Sequence, residues 1–133
     1  MDFTQTKVRE VMSREVFRVP LEASLEEILR ELLEHRIHAV LVSGPGGEFM
    51  GVVSHSDIIE ALAKHGPRIF EMKAEDLMCP KPYTIEAEAT LKEAAAKMIA
   101  HRVHRLLVVT SHGGKFIPVG VLSATDLVRA ASL

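Results

Sequence analysis

Cysteine occurs once in this 133-residue chain, at Cys79, and a single thiol excludes both an intramolecular disulfide and a multi-cysteine zinc site. Beside Pro80 in a connecting segment, Cys79 reads as an incidental small residue rather than an activated nucleophile. Neither sign of charge dominates: 16 basic residues face 18 acidic ones, for a net charge of −2. A dedicated nucleic-acid binder carries a basic footprint that this balance lacks, so no nucleic-acid partner is expected. No long hydrophobic run is present either. Ala39 to Val42 and Leu106 to Val109 are far too short to span a bilayer, and Met1-Asp-Phe-Thr4 has neither a basic nor an apolar leader region. The expected compartment is the cytoplasm, with no membrane partner. What remains is a chain with 47% hydrophobic and 26% charged residues, the range of one soluble globular domain with a sizeable core.

That chain is written nearly twice. Met12 to Val42 matches Met78 to Val108 at a gapless spacing of 66 residues, with identities at Met12/Met78, Ala23/Ala89, Leu25/Leu91, His35/His101, Arg36/Arg102 and His38/His104. Gly51-Val-Val-Ser54-His-Ser56-Asp57 then returns as Gly120-Val-Leu-Ser123-Ala-Thr125-Asp126 at a spacing of 69, which places three extra residues in a loop of the second copy. A tandem repeat of this length describes two subdomains rather than a solenoid.

Each copy predicts the order β-α-β-β-α. A short β-prone segment, Val16 to Val19 or Tyr83 to Ile85, precedes a helix whose start is marked by Ser24 with Glu27 or Thr90 with Glu93, the capping-box spacing. Leu25, Ile28, Leu29 and Leu32, matched by Leu91, Ala94, Ala95 and Met98, form the stripe that packs inward. The uninterrupted apolar runs from Ala39 and from Leu106 read as mid-sheet strands covered on both faces. Glycine-rich turns follow, then strands Phe49 to Val53 and Phe116 to Leu122, the latter made irregular or an edge by Pro118. Ser54 and Ser123 open the last helix of each copy. The expected domains are 8–64 and 76–131, joined by a linker at 65–75.

The chemistry-bearing segment is G-h-h-S-x-[ST]-D, with h apolar, where a strand runs into a helix N-terminus. Free amides and the helix dipole there favour an anion, and Ser54, Ser56, Ser123 and Thr125 add hydroxyl donors. Asp57 and Asp126 stand three residues after Ser54 and Ser123, a spacing that equally describes another capping box. The additional hydroxyl in both copies, beside a carboxylate suited to a cis-diol such as ribose, favours a ligand. A second element, His35-Arg-Ile-His38-Ala39 against His101-Arg-Val-His104-Arg105, lies where helix passes into buried strand. His35, Arg36, His101 and Arg102 read as cations at the negative ends of their helices, whereas His38, His104 and Arg105 lie beyond the helix, and Arg105 offers phosphate a fixed fork of donors. No acidic or thiol partner at ligand spacing accompanies the histidines, so no metal site is expected.

Taken together, the capped helix, the h-H-[AR]-h-h-V strand, the glycine-bearing hairpin and the doubled G-h-h-S-x-[ST]-D segment resemble a cystathionine β-synthase (CBS) domain pair, over about Val8 to Ala130. The resemblance implies an α/β fold of two β-α-β-β-α units about a pseudo-twofold axis, with clefts for adenosine-containing ligands. By the same resemblance Asp57 and Asp126 hold ribose hydroxyls, and Ser54, Ser56, Ser123, Thr125, His104 and Arg105 meet phosphates. Val16, Phe17, Ile37, Tyr83 and Val103 enclose adenine, with His38 the counterpart of His104. It further implies a homodimer, and a regulatory module that senses an adenine nucleotide, AMP or ADP foremost, needs no cofactor and performs no catalysis. No activated nucleophile or P-loop stands outside the repeats. Ala39 opposite Arg105, and Arg18 opposite Thr84, make the two clefts inequivalent. Two other readings stay open: a structural or dimerisation module with vestigial clefts, and a sensor of another adenosyl ligand such as S-adenosylmethionine or NAD.

Overall fold

The computed structural model describes residues 1–14 and 16–132. Its regular elements are β1 (Arg18–Pro20), α1 (Leu25–Glu34), β2 (Ala39–Ser43), β3 (Phe49–Ser54), α2 (His55–His65), α3 (Ala74–Leu77), β4 (Thr84–Glu86), α4 (Leu91–His101), β5 (Arg105–His112), β6 (Lys115–Ser123) and α5 (Ala124–Ala131). They form two three-stranded sheets, β1-β2-β3 and β4-β5-β6, so the continuous apolar strands β2 and β5 lie in mid-sheet. In each sheet the first pairing is parallel and the second antiparallel. The β-α-β-β-α order of each copy is therefore the observed one.

The chain folds into two compact units: one is the continuous stretch 17–82, and the other joins 1–16 to 83–133. The stretch read as a linker carries a 3-10 helix, Gly66–Glu71, and the start of α3; it buries Ile69 and Ala74, and Leu77 just beyond it, in the first core beside Val19, Ile28, Leu32, Val40 and Val53. Correspondingly, Val8 and Met12 from the N-terminal arm enter the second core with Leu91, Ala94, Met98, Leu106, Val108 and Leu122. Each unit thus consists of one repeat and the segment that precedes the other repeat.

The helix starts follow their signals unequally. Thr90 and Glu93 form the reciprocal box at α4, whereas at α1 only the Ser24 hydroxyl engages, accepting from the Glu27 amide at 3.2 Å. The three extra residues of the second copy do not lengthen its loop, contrary to the sequence expectation. They extend the hairpin: β5 and β6 run for 8 and 9 residues where β2 and β3 have 5 and 6. Gly113 and Gly114, at φ 58° and 79°, close it in two residues, since tight hairpin turns matching strand twist need positive φ. Both sheets carry a bulge at equivalent places, Val42/Ser43 and Val108/Val109, and Pro118 stands opposite Val109 on the edge strand β6. Proline is tolerated there because an edge position need not donate.

The glycine of the repeated motif has a packing role. Ser13 exchanges both backbone hydrogen bonds with Val121, at 2.9 and 3.0 Å, and Cys79 does the same with Val52, at 2.8 and 3.0 Å. These contacts bring Met12-Ser13 across Gly120 and Met78-Cys79 across Gly51, where no side chain would fit.

Candidate functional site

In each unit, the strand topology gathers the candidate residues at one end of the sheet. Parallel β4 and β5 begin where antiparallel β6 ends, so Tyr83, His104, Arg105, Ser123 and Asp126 converge there; Arg105 lies directly opposite Ser123. The same logic collects Phe17, His38, Ser54 and Asp57 in the other unit, with Ala39 opposite Ser54. Backbone hydrogen bonds tighten the arrangement, since the His55 amide donates to the His38 carbonyl at 3.1 Å and the Ala124 amide to that of His104 at 2.7 Å.

The Ser-x-x-Asp segments form the capping boxes that their spacing describes. Asp57 Oδ2 accepts from the Ser54 amide at 2.7 Å and the Ser54 hydroxyl at 2.8 Å; Asp126 Oδ2 accepts from the Ser123 amide at 2.8 Å. Return bonds run from the Asp57 amide to Ser54 Oγ at 3.4 Å and from the Asp126 amide to Ser123 Oγ at 3.1 Å. In both, the cap uses Oδ2, and Asp126 Oδ1 lies 4.0 Å from Arg129 Nη1. The carboxylate is thereby fixed in orientation while one oxygen stays outside the helix cap. Ser56 and Thr125 are exposed one residue before it.

Arg105 is half-buried, and burial holds its guanidinium below the usual arginine range while the Asp126 carboxylate opposes that shift. It stays protonated nonetheless, because arginine lies far above physiological pH to begin with. A partly desolvated cation beside an oriented carboxylate and a row of hydroxyls suits a ligand with both an anionic group and a diol. The unit containing Ala39 has no such cation at the equivalent place. Near Asp126, a cavity of about 470 Å³ is bounded by Met1, Thr6, Glu10, Val11, Asp126, Arg129 and Ala130. Sequence reasoning missed this wall, because nothing in the N-terminal arm signals that it packs on the second repeat.

The remaining candidates sit where helix meets strand. Ile37 packs against the first core and Val103 against the second; Val16 is half-buried just ahead of Phe17. Phe17 and Tyr83 are covered by residues assigned above to helix ends. The His35 ring stacks on Phe17 at 3.8 Å and 12°, and the His101 ring on Tyr83 at 4.1 Å and 19°. His38 meets His55 edge-on, with centroids 5.0 Å apart. Among the described residues no group of three or more His, Cys, Asp or Glu could hold a metal ion, and no helix is long and apolar enough to cross a membrane.

Comparison with known proteins agrees with this geometry. The CBS domain family pattern matches residues 8–64 and 74–133. An uncharacterized protein of Methanopyrus kandleri is 25% identical over 122 residues, covering 92% of this chain and 61% of its own length. Arabinose 5-phosphate isomerase KpsF of Escherichia coli is 29% identical over 77% of this chain, which spans only 31% of that enzyme. Among solved structures, an uncharacterized conserved protein from Pyrococcus horikoshii superposes with a TM-score of 0.86 at 25% identity, covering 100% of this chain and 96% of its own. The CBS domain pair of protein MJ0100, in complex with 5′-methylthioadenosine and S-adenosyl-L-methionine, gives 0.80 at 21% identity and 96% coverage of each chain. CBSX2 in complex with AMP gives 0.73 at 25% identity, again with 96% of each chain covered. The doubled family match, the two β-α-β-β-α units and the neighbours in structure agree: this chain belongs to the CBS domain family.

Proposed function

We propose that the chain is a regulatory, non-catalytic module that senses an adenine nucleotide, AMP or ADP foremost. The observation that carries this reading is the convergence, at one sheet end of one unit, of Asp126, Ser123, Thr125, His104 and Arg105 with the Tyr83 ring. That set matches a nucleotide part by part: carboxylate to ribose hydroxyls, cation and hydroxyls to phosphate, planar ring to base. The structural neighbours bound to AMP and to S-adenosyl-L-methionine support an adenosine-type ligand. Arg105 favours the phosphate-bearing kind. Asp57, Ser54 and Ser56 form the weaker site, because Ala39 replaces the cation there.

A thermal-shift series on the parent and on Arg105→Ala tests this, since a ligand bound only to the folded state raises Tm by mass action. AMP and ADP raise the parent's Tm, and S-adenosylmethionine raises it less. In R105A the AMP shift shrinks far more than the adenosine shift, and the salt dependence of AMP binding flattens as a screened charge contact is lost. No shift with any nucleotide at millimolar concentration leaves the structural-module reading in its place.

The partner that the surface supports best is a second copy. Leu33 and Ile99 occupy equivalent positions on α1 and α4 and are 73% and 80% exposed; Ile59 and Val128 do so on α2 and α5, at 66% and 71%. Large apolar side chains left exposed on the helices of each unit are the kind of surface that an interface with a second copy covers. Sedimentation velocity should give a dimer for the parent and a monomer for Ile99→Glu with Val128→Glu. A monomeric parent would remove the proposal.

A further inference from the structure

We infer that His35 and His101 are stacking latches: each imidazole occupies the aromatic face on which a ligand's planar base would lie, so a base enters a unit by displacing that unit's histidine. This inference rests on the nucleotide-sensing reading above and adds how access to the site is controlled. Four observations support it. The two stacks are near-parallel at contact distance, His35 on Phe17 and His101 on Tyr83, and they recur at equivalent positions of both repeats. A face covered in this way is closed to any other ring.

Both histidines are exposed, as is Tyr83, so an imidazole can swing into solvent without opening either core. The backbone sets the latch in place. Immediately after each histidine, Arg36 and Arg102 adopt left-handed φ values of 53° and 54°, a conformation that is unfavourable for a residue with a Cβ. It follows His35, the C-cap of α1, and His101, the last residue of α4, and turns the chain toward the next strand in both units. Arginine in place of the glycine usual at such a position, twice, marks a conformation imposed by its surroundings.

The latches differ in their tethers. His35 Nε2 lies 3.1 Å from Glu31 Oε2, one helical turn back. The residue equivalent to Glu31 in the second repeat is Lys97, whose ammonium donates instead to the Thr84 carbonyl. His101 therefore has no carboxylate anchor at that place, and it belongs to the unit with Arg105. The second unit opens more readily and also holds the phosphate-reading cation, so it takes the first ligand.

Tyr83 is the single tyrosine of a chain without tryptophan, so intrinsic fluorescence reports on the second latch alone. The experiment titrates AMP into the parent and into His101→Ala by calorimetry and by tyrosine emission, with far-UV circular dichroism to verify folding. Removing a ring that competes for one aromatic face tightens AMP binding roughly two- to tenfold, and H101A alters Tyr83 emission before any ligand is added. The same histidine substitution made in Tyr83→Leu has no effect on AMP affinity, because latch and base no longer share a surface. Weaker binding by H101A would show that the base stacks on the imidazole, and would overturn the latch. Equal affinity for AMP in H101A and the parent would overturn it while leaving the nucleotide reading intact. If neither protein binds AMP, the nucleotide reading fails and the latch falls with it.

Discussion

Gly120→Ala lowers stability by about 1 to 3 kcal/mol, the usual range for overpacking, and the tightness of the site places it at the upper end or beyond. An alanine Cβ at 120 would stand 2.5 Å from the Ser13 carbonyl oxygen and 2.8 Å from Met12 Sδ. The methionine can give way. The carbonyl cannot, because Ser13 is held to Val121 by two backbone hydrogen bonds, and moving it withdraws Val8 and Met12 from the second core. Gly51→Ala has the equivalent effect in the other unit, with Cβ 2.7 Å from the Cys79 carbonyl oxygen and 2.9 Å from Met78 Sδ. The check is urea denaturation, in which both variants show a lower midpoint with an unchanged slope. A midpoint equal to the parent's in either variant would mean that the crossing segment is not clamped onto its strand.

Asp126→Ala loses on two counts. It removes charge-assisted hydrogen bonds worth about 1.5 to 3 kcal/mol each to a ribose, hence weakens AMP by roughly tenfold or more. It also strips the Ser123 amide of its partner at 2.8 Å and opens the box at α5, which costs about 1 to 2 kcal/mol of stability. Asp126→Asn separates the two roles. Its amide oxygen still accepts from the Ser123 amide, so most of the stability returns, while the charge proposed to bind the diol stays lost. Calorimetry of AMP binding and thermal melts on both variants provide the comparison. Parental affinity in both, with a lower Tm in the alanine variant alone, would make Asp126 a cap and nothing more.

The cap at Asp126 shows how local and tertiary information divide. A capping box is written in four consecutive residues, so Ser123 with Asp126 and Thr90 with Glu93 could be read directly from the chain. Period and burial gave the strands and helices for the same reason: Val40, Leu41 and Val42 are all buried in the mid-sheet strand that their unbroken hydrophobicity predicts. The repeat spacing assigns the extra residues of the second copy to a loop, because an insertion is visible in sequence whereas its absorption by a longer ladder closed at Gly113-Gly114 is a matter of pairing.

By itself, then, the sequence determined two β-α-β-β-α repeats, their caps, their inward stripes and the asymmetry between Ala39 and Arg105, all carried by neighbours along the chain or by an exact repeat spacing. Tertiary structure alone decided the rest. The N-terminal arm folds onto the second repeat and the stretch around Ala74 onto the first, and no periodicity encodes which sheet a crossing segment joins. Gly51 and Gly120 proved to be places of close approach, a property of what lies across from them. His35 and His101 read as helix-end cations because that is their local setting; their stacking on Phe17 and Tyr83, 18 residues earlier in each case, arises only when the parallel strands bring helix end and strand start to the same side. Capping and periodicity act over a few bonds and are legible in sequence, whereas ring stacking and backbone crossing depend on distances that only the folded chain sets.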